Sequence, residues 1–468
     1  MNAPAWIASA NFYQIFPERF ANGNPALNPP QIDPWDTKPS YDNFLGGDLP
    51  GIIQHLPYLA DMHINALYLN PIFAACTNHR YDAVDYFVID PYLGDLDAFD
   101  RLIEKAHHLG IHVILDGVFN HCGNGHKYFR DVMRHGADSK YVNWFFVEGF
   151  PVVSQSDSCN YKTCSGCYYL PKWNVYNPEV RQHHLEVAKY WLNRGIDGWR
   201  LDVPYYVNMS FWREFHDTVK AFGDDKYLVA EDWRDPVPWL ETDLMDGVMN
   251  YTLRDLILAF STDESLDAFQ FAAGVNKLHN RIPESHRTSM FNLLDSHDTE
   301  RVANRAKNRQ TTIAQAFALL YSLVGTPVLY YGDENGMLGE NDPGCRAGME
   351  WNTNRWNTDT RDLVTGLLKA RSQSAVLQKG SQQVKALDAN TLMVVRKYRD
   401  QGAVLLLHRG SGRNVALTQV PLKQARCLYG LPGVLGESYR LDDSHPLLLE
   451  GIIDETQWKA LIKTPQLC

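Results

Sequence analysis

Eight times along this chain an amphipathic helix, a glycine or polar break and a short apolar run follow one another, and each apolar run ends on polar or charged residues. The apolar runs are Asn11–Phe16, Ile64–Leu69, His112–Leu115, Gly198–Leu201, Tyr227–Ala230, Gly247–Met249, Met290–Leu294 and Pro327–Tyr330. Helical periodicity fills the intervals, as in Leu96–Leu109, Pro178–Arg194, Ser210–Phe222 and Thr312–Val324. Buried strands alternating with helices require a parallel sheet, and eight units predict a closed (β/α)8 TIM barrel of the α/β class. A doubly wound open sheet is the competing arrangement. It lacks the glycine-rich fingerprint after the first strand that nucleotide-binding versions carry.

Two departures from the repeat predict further parts. Residues Cys122 to Tyr176, after strand three, are too long for an ordinary connection and predict an excursion subdomain over the barrel rim. Beyond about Ser374 the pattern becomes short strands (Thr391–Lys397, Ala403–Leu407, Asn414–Leu417, Cys427–Tyr429) joined by glycine-bearing turns, a C-terminal antiparallel β-sandwich. The expected division is a barrel of 1–121 and 177–374, an excursion of 122–176 and a β domain of 375–468.

In such a barrel the chemistry gathers where strands end. Strand three ends at Asp116 and runs on to His121, strand four at Arg200 and Asp202, strand five at Glu231, and strand seven at His297 and Asp298. Arg200 and Asp202 are two apart, so they share one side of a strand, and the guanidinium is expected to keep Asp202 ionised. A structural ion pair would read the same way in isolation; four strand ends delivering such residues to one rim favour a catalytic cluster. Paired carboxylates with a third nearby suit glycoside hydrolysis: one ionised nucleophile, one acid whose proton neighbouring charges retain, and one group that stabilises developing positive charge. His121 and His297 can donate to sugar hydroxyls, and Tyr81 can stack on a ring. The aromatic content (12 Trp, 24 Tyr, 20 Phe) is mostly core, with some available for sugar stacking.

These segments resemble the α-amylase family, glycoside hydrolase family 13. The runs Asp116 to His121, Gly198 to Asp202, Glu231, and His297 with Asp298 are similar to its four signature regions in order. The resemblance implies Asp202 as nucleophile, Glu231 as acid/base and Asp298 as the third carboxylate. Leu170 to Asn174 and Asn341 to Arg346 resemble the neopullulanase, cyclomaltodextrinase and maltogenic amylase subfamily, which implies that Asp342 and Arg346 contact sugar on the non-reducing side. Trp173, standing where that subfamily has leucine, and Trp233, in Asp232-Trp233-Arg234, are implied on the leaving-group side. The implied activity is retaining hydrolysis of α-1,4 bonds in short maltodextrins, with cyclodextrins and pullulan as further substrates. A transglycosylase, an exo-acting α-glucosidase and a non-catalytic relative are the other readings.

A net charge of -11 with scattered basic residues argues against nucleic acid or a membrane as partner, leaving an α-glucan oligosaccharide. Residues Met1 to Ala10 show no signal-peptide pattern, so a cytoplasmic location with free thiols is expected. No cofactor is expected. Asn120 matches one usual ligand of the family's calcium, but Pro204-Tyr205-Tyr206 follows the nucleophile where many amylases differ, so calcium is not favoured. Cys159, Cys164 and Cys167 raise zinc as a weaker expectation than free thiols or one local disulfide. Because strand one starts near Asn11, the subfamily's extra N-terminal domain is not expected, and a monomer or a dimer built through other surfaces is.

Overall fold

The computed structural model describes residues 3–463 except 157, 411, 431–432, 436–437 and 443–445; the eighth cysteine, Cys468, lies outside them. All eight expected barrel strands form: β1 Phe12–Ile15, β2 Ala66–Leu69, β3 His112–Gly117, β4 Gly198–Leu201, β5 Tyr227–Ala230, β6 Gly247–Val248, β7 Phe291–Asn292 and β8 Thr326–Tyr330. They pair in parallel in the order β6-β5-β4-β3-β2-β1-β8-β7, and a parallel bridge between Met249 and Phe291 closes the ring.

Strand parity decides which side chains enter the ring. Phe12, Ala66, Tyr68, Ile114, Tyr227, Val229, Phe291 and Val328 form an inner core. Their neighbours Tyr13, Leu67, Val113, Trp199 and Leu228 face outward and pack in the core beneath the helices. Extending each strand by two residues on the inner face reaches Gln14, Asn70, Asp116, Arg200 and Glu231, so the uppermost inner layer is polar.

Side-chain caps start the helices. Asp95, Asn177 and Asn208 accept backbone N–H groups at the starts of Leu96–His108, Pro178–Asn193 and Met209–Lys220. Gly195 (φ +93°) follows the second of these and turns the chain into β4. At Gly198 a Cβ would lie 2.0 Å from the Tyr227 carbonyl oxygen, so only glycine lets β4 approach β5 so closely.

The excursion contains a helix, Lys127–His135, and antiparallel bridges Phe145–Trp173, Val147–Tyr161 and Thr163–Pro171. Its own aromatic core is Phe129, Trp144, Phe145, Tyr161 and Trp173. Trp173, expected against substrate, is fully buried: it stacks on Phe145 at 4.7 Å, packs edge-on to His126 and His184, and donates from Nε1 to Tyr86. The larger ring occupies the seam between excursion and barrel, where burying apolar area is worth more than exposure to the cleft.

The C-terminal region has a five-stranded sheet, β9 Ser381–Asp388, β10 Thr391–Tyr398, β11 Gln401–His408, β16 Leu447–Ile453 and β13 Leu422–Tyr429 in that order. A three-stranded sheet of β12 Arg413–Ala416, β15 Ser438–Leu441 and β14 Gly433–Leu435 faces it. Met393, Val404, Leu406, Val415, Tyr439 and Leu449 fill the space between them, the expected sandwich with more strands than the pattern marked. No helix among the described residues is long and apolar enough to cross a membrane.

His126, His183 and His184 crowd around Trp173, and burial holds all three below their ordinary pKa, His183 at about 4. The charges facing them are Lys127, which lowers His126 and His183, and Glu186 and Asp85, which raise His183. An unfolded chain takes up these protons from about pH 6.5 downward, whereas the folded one resists until about pH 4 for His183. Stability is therefore full above that upper value and falls as pH drops through the window. The urea midpoint is expected to fall between about pH 7.5 and pH 5, and less steeply in His183→Phe. A midpoint flat over that range, or an unchanged slope in the variant, would contradict this. Trp173→Ala is expected to destabilise the fold by roughly 3–5 kcal/mol, read from the same unfolding curves.

Candidate active site

Arg200 projects into the uppermost inner layer, and three carboxylates surround it. Its Nη1 donates to Asp116 Oδ1 at 2.8 Å and Oδ2 at 3.0 Å and to Asp202 Oδ1 at 3.0 Å, while Nη2 lies 3.1 Å from Glu231 Oε2. The strand register produces this: Asp116 lies beside Arg200 across β3 and β4, and Leu201 beside Ala230 across β4 and β5, so the next residues on the latter two strands are Asp202 and Glu231. The expectation that Arg200 alone would hold Asp202 ionised is corrected by this sharing. Burial and then Glu231 push the Asp202 carboxyl well above the usual carboxylate range, against the pull of Arg200. Three buried carboxyls face one guanidinium, which does not offset burial and like charge at Asp202, so the Asp202 carboxyl is held toward its protonated form.

Glu231 is fixed from two directions. Its Oε2 accepts the Val203 N–H at 3.0 Å, and its Oε1 accepts Trp233 Nε1–H at 2.9 Å. Val203 has φ +37° and ψ +50°, a left-handed conformation rare for a β-branched residue and worth roughly 1–3 kcal/mol of strain. That backbone twist, directly after Asp202, aims the N–H at Glu231. Trp233 lies flat on Tyr251, ring centroids 3.8 Å apart, with much of its other surface open to the cleft.

A relay of hydrogen bonds orients the other side. Gln14 Nε2 is 2.8 Å from His297 Nδ1 and also donates to Asn70 Oδ1 at 3.0 Å. Acceptance at Nδ1 leaves the proton of the neutral ring on Nε2, which is 2.6 Å from the Tyr81 hydroxyl; Tyr81 in turn donates to Asp116 Oδ2 at 2.8 Å. Burial first, and then Arg346 and Arg200, keep His297 well below its ordinary pKa, consistent with that neutral form. Arg346 reaches Asp298 Oδ1 at 3.1 Å and Asp342 Oδ1 at 2.9 Å, and its Nε donates to the His297 carbonyl at 2.7 Å.

These groups border a cavity of about 520 Å³. Of the expected residues, Tyr81, His121, Asp202, Glu231, Trp233, Asp298, Asp342 and Arg346 line it. Asp116, Arg200 and His297, also expected against substrate, are buried and add no surface to it. Their hydrogen bonds show why: each is used to hold a cavity residue in place. Sequence reasoning missed Tyr41, His79 and Tyr205 on the walls. Gln14, Tyr68 and Asn70 beneath were missed as well, although strand parity could have found them; the wall residues sit on loops with no period to follow.

Tyr205, in the run after the nucleophile where many amylases differ, and Arg234, next to Trp233, meet. The Arg234 guanidinium lies 4.3 Å over the Tyr205 ring and is clamped by both oxygens of Asp232, which also accepts Trp239 Nε1–H. Tyr205 and Trp233 thus stand on the Glu231 side of the cavity, while Asp298, Asp342 and Arg346 form a second group on its wall.

The three cysteines that raised zinc as the weaker expectation do not gather among the described residues. Cys159 Sγ faces the Tyr161 carbonyl, whereas Cys164 and Cys167 face the cavity, and no three His, Cys, Asp or Glu side chains gather around an ion among the described residues. Asn120 donates to His121 Nδ1 at 3.2 Å, the Cys164 thiol is a further neighbour, and its buried Oδ1 has no hydrogen-bond partner among the described residues. All seven described cysteines are free thiols.

The model of the α-amylase catalytic domain matches residues 14–375. Neopullulanase 2 of Thermoactinomyces vulgaris is 41% identical over 89% of this chain and 72% of its own length. A cyclomaltodextrinase of Geobacillus thermopakistaniensis is 41% identical over 87% of this chain and 70% of its own. Among solved structures, the cyclic alpha-maltosyl-(1→6)-maltose hydrolase of Arthrobacter globiformis superposes with a TM-score of 0.92 at 51% identity, covering 96% of this chain and all of that one. With the domain match spanning most of its length and its strand-end carboxylates converging on one cavity, the chain belongs to the α-amylase family of glycoside hydrolases.

Proposed function

We propose that the protein is a retaining hydrolase of α-1,4 bonds in short maltodextrins, linear and cyclic. The observation that carries this reading is the bridging of Asp202 and Glu231 by the two terminal nitrogens of Arg200. One guanidinium spanning both carboxyls keeps them close, as a double displacement requires. Asp202 Oδ1 is engaged by Arg200, which leaves Oδ2 to attack the anomeric carbon. As that bond forms, the glycosidic C–O bond breaks and Glu231 gives its proton to the leaving oxygen. Glu231 then takes a proton from water, whose oxygen attacks the same carbon and releases Asp202. The positive charge developing at the sugar carbon draws Asp202 into its ionised form.

The general acid must face the leaving oxygen, so the leaving sugar lies on the Tyr205–Trp233 side and the retained sugar against Asp298, Asp342 and Arg346. The likeness to a cyclic maltosyl-maltose hydrolase, to a cyclomaltodextrinase and to a neopullulanase favours small and cyclic glucans over long polymer. Seven unpaired thiols suit a reducing compartment, and we place the enzyme in the cytoplasm. The Arg234 clamp on Tyr205 favours a specific platform for the leaving sugar.

Asp202→Asn and Glu231→Gln are each expected to lower kcat by several orders of magnitude, and NMR of the first-formed product should show the α-anomer. A β-anomeric product would refute the double displacement. Arg200→Lys, a point charge unable to span two carboxyls, should lower kcat roughly a hundredfold or more with far-ultraviolet circular dichroism unchanged. Among maltoheptaose, β-cyclodextrin, cyclic maltosyl-maltose, pullulan and soluble starch, kcat/KM should be highest for one of the short or cyclic substrates; a clear preference for starch would overturn the substrate assignment.

A further inference from the structure

Two of the excursion's cysteines sit where the cavity wall turns. Cys164-Ser165-Gly166-Cys167 is a four-residue turn closed by a hydrogen bond from Cys167 N–H to the Cys164 carbonyl at 2.9 Å. Ser165 (φ +49°) and Gly166 (φ +80°) are both left-handed, as the mirror-image tight turn demands. Nothing lies within 4 Å of where a Gly166 side chain would begin, so the turn's tip is open. Such a turn holds its end residues within about 7 Å, and a disulfide needs Cα atoms roughly 4.4–6.8 Å apart. Both end residues line the substrate cavity.

The two thiols differ. Cys164 is buried beside Ser165 Oγ and the Asn120 amide, near enough to Asp202 to feel its charge. Burial pushes its pKa up to about 12. Cys167 is only partly buried, so it is the one a small reagent in the cleft meets first. The neighbouring cysteines are unsuitable partners. Cys159 is occupied with the Tyr161 carbonyl on another hairpin, and Cys122 is fully buried beneath the excursion.

We propose that Cys164 and Cys167 form a dithiol modification site on the wall of the active cleft, which a hydroperoxide converts to a disulfide within the turn. The Cys167 thiolate sulfur attacks the peroxide: an S–O bond forms, the O–O bond breaks and hydroxide leaves. The Cys164 sulfur then attacks the resulting sulfenic acid. The S–S bond forms, the S–O bond breaks, and the hydroxyl departs as water with the Cys164 proton. Two electrons pass from the dithiol to the peroxide, which is reduced to water. The new bond draws the Cys164 sulfur from its seat against Asn120 and fixes the segment that carries Tyr169 and Leu170 into the cavity. Both cysteines line the cavity and neither hydrogen-bonds to Asp202 or Glu231, so the change is expected to fall on substrate binding.

The effect on hydrolysis rests on the glucan-hydrolase reading; the disulfide itself does not. Purified protein is treated with hydrogen peroxide, its remaining thiols are blocked, and the digest is examined by mass spectrometry. The expected result is one peptide linking Cys164 to Cys167, lighter by two hydrogens and reopened by dithiothreitol. With it, KM for maltoheptaose should rise about threefold or more with kcat changed less. In the Cys164→Ser, Cys167→Ser double variant, KM should be the same before and after peroxide. Cys167 found as sulfinic acid, either cysteine paired with Cys159 or Cys122, or a disulfide that leaves KM unchanged would each overturn the proposal. A linked peptide from a protein that hydrolyses no glucan would instead overturn the assigned function and leave the modification site standing.

Discussion

The whole upper layer of the barrel is arranged around one buried cation. Arg200 is fully buried, and Asp116, Asp202 and Glu231, contributed by three adjacent strands, neutralise it. Removing such a cation would strand several carboxyls together, and removing a carboxyl would loosen its neighbours, because partners in a buried network are not independent. Tyr68 and Tyr81 extend the network through Asp116 to His297 and Gln14. The barrel's hydrogen-bond ladder fixes the strand register, and the register fixes who touches Arg200. Catalytic geometry here is therefore a property of the sheet rather than of flexible loops.

Around this rigid layer the loops supply shape. The strained Val203 converts a backbone N–H into a handle on Glu231, and the Trp233–Tyr251 stack supplies the second. Asp298 is held differently, by Arg346 from the segment after β8, and that segment is tied to the loop after β1 by the Trp35 donation to the Met349 carbonyl. One half of the cavity is thus built on strand ends and the other half on two loops that brace each other.

The barrel was legible because its signal is physical and repeated: each strand is a short apolar run after a helix, and its polar end has nowhere to go but the rim. The carboxylates were legible for the same reason. Trp173 was not, because a motif shows that a large ring stands at a position and says nothing about which side of the chain is more deeply buried. The protonation of Asp202 was not, because it depends on how many acids share Arg200, a number set by register between strands far apart in sequence. Tyr41 and Tyr205 belong to irregular segments, where no period connects a residue to a direction. Cys159 and Cys164 are five apart in sequence, yet the first meets the Tyr161 carbonyl and the second lines the cavity.

The closing joint of the barrel has a consequence of its own. Between β6 and β7 there is only the Met249–Phe291 bridge in place of a ladder, and side chains fasten the rest: Asn250 to Asn292 at 2.9 Å and Arg254 to the Leu294 carbonyl at 2.9 Å. A ring with one such hinge opens there before it opens anywhere else. The hinge falls between the strand that ends in Glu231 and the strand that ends in Asp298, while Arg200 and its carboxyls lie wholly on one side of it. Any parting at this joint would fall between the acid and the third carboxylate and outside the nucleophile's seat. A wall that can yield along one line admits a closed ring of sugars, which has no free end to thread.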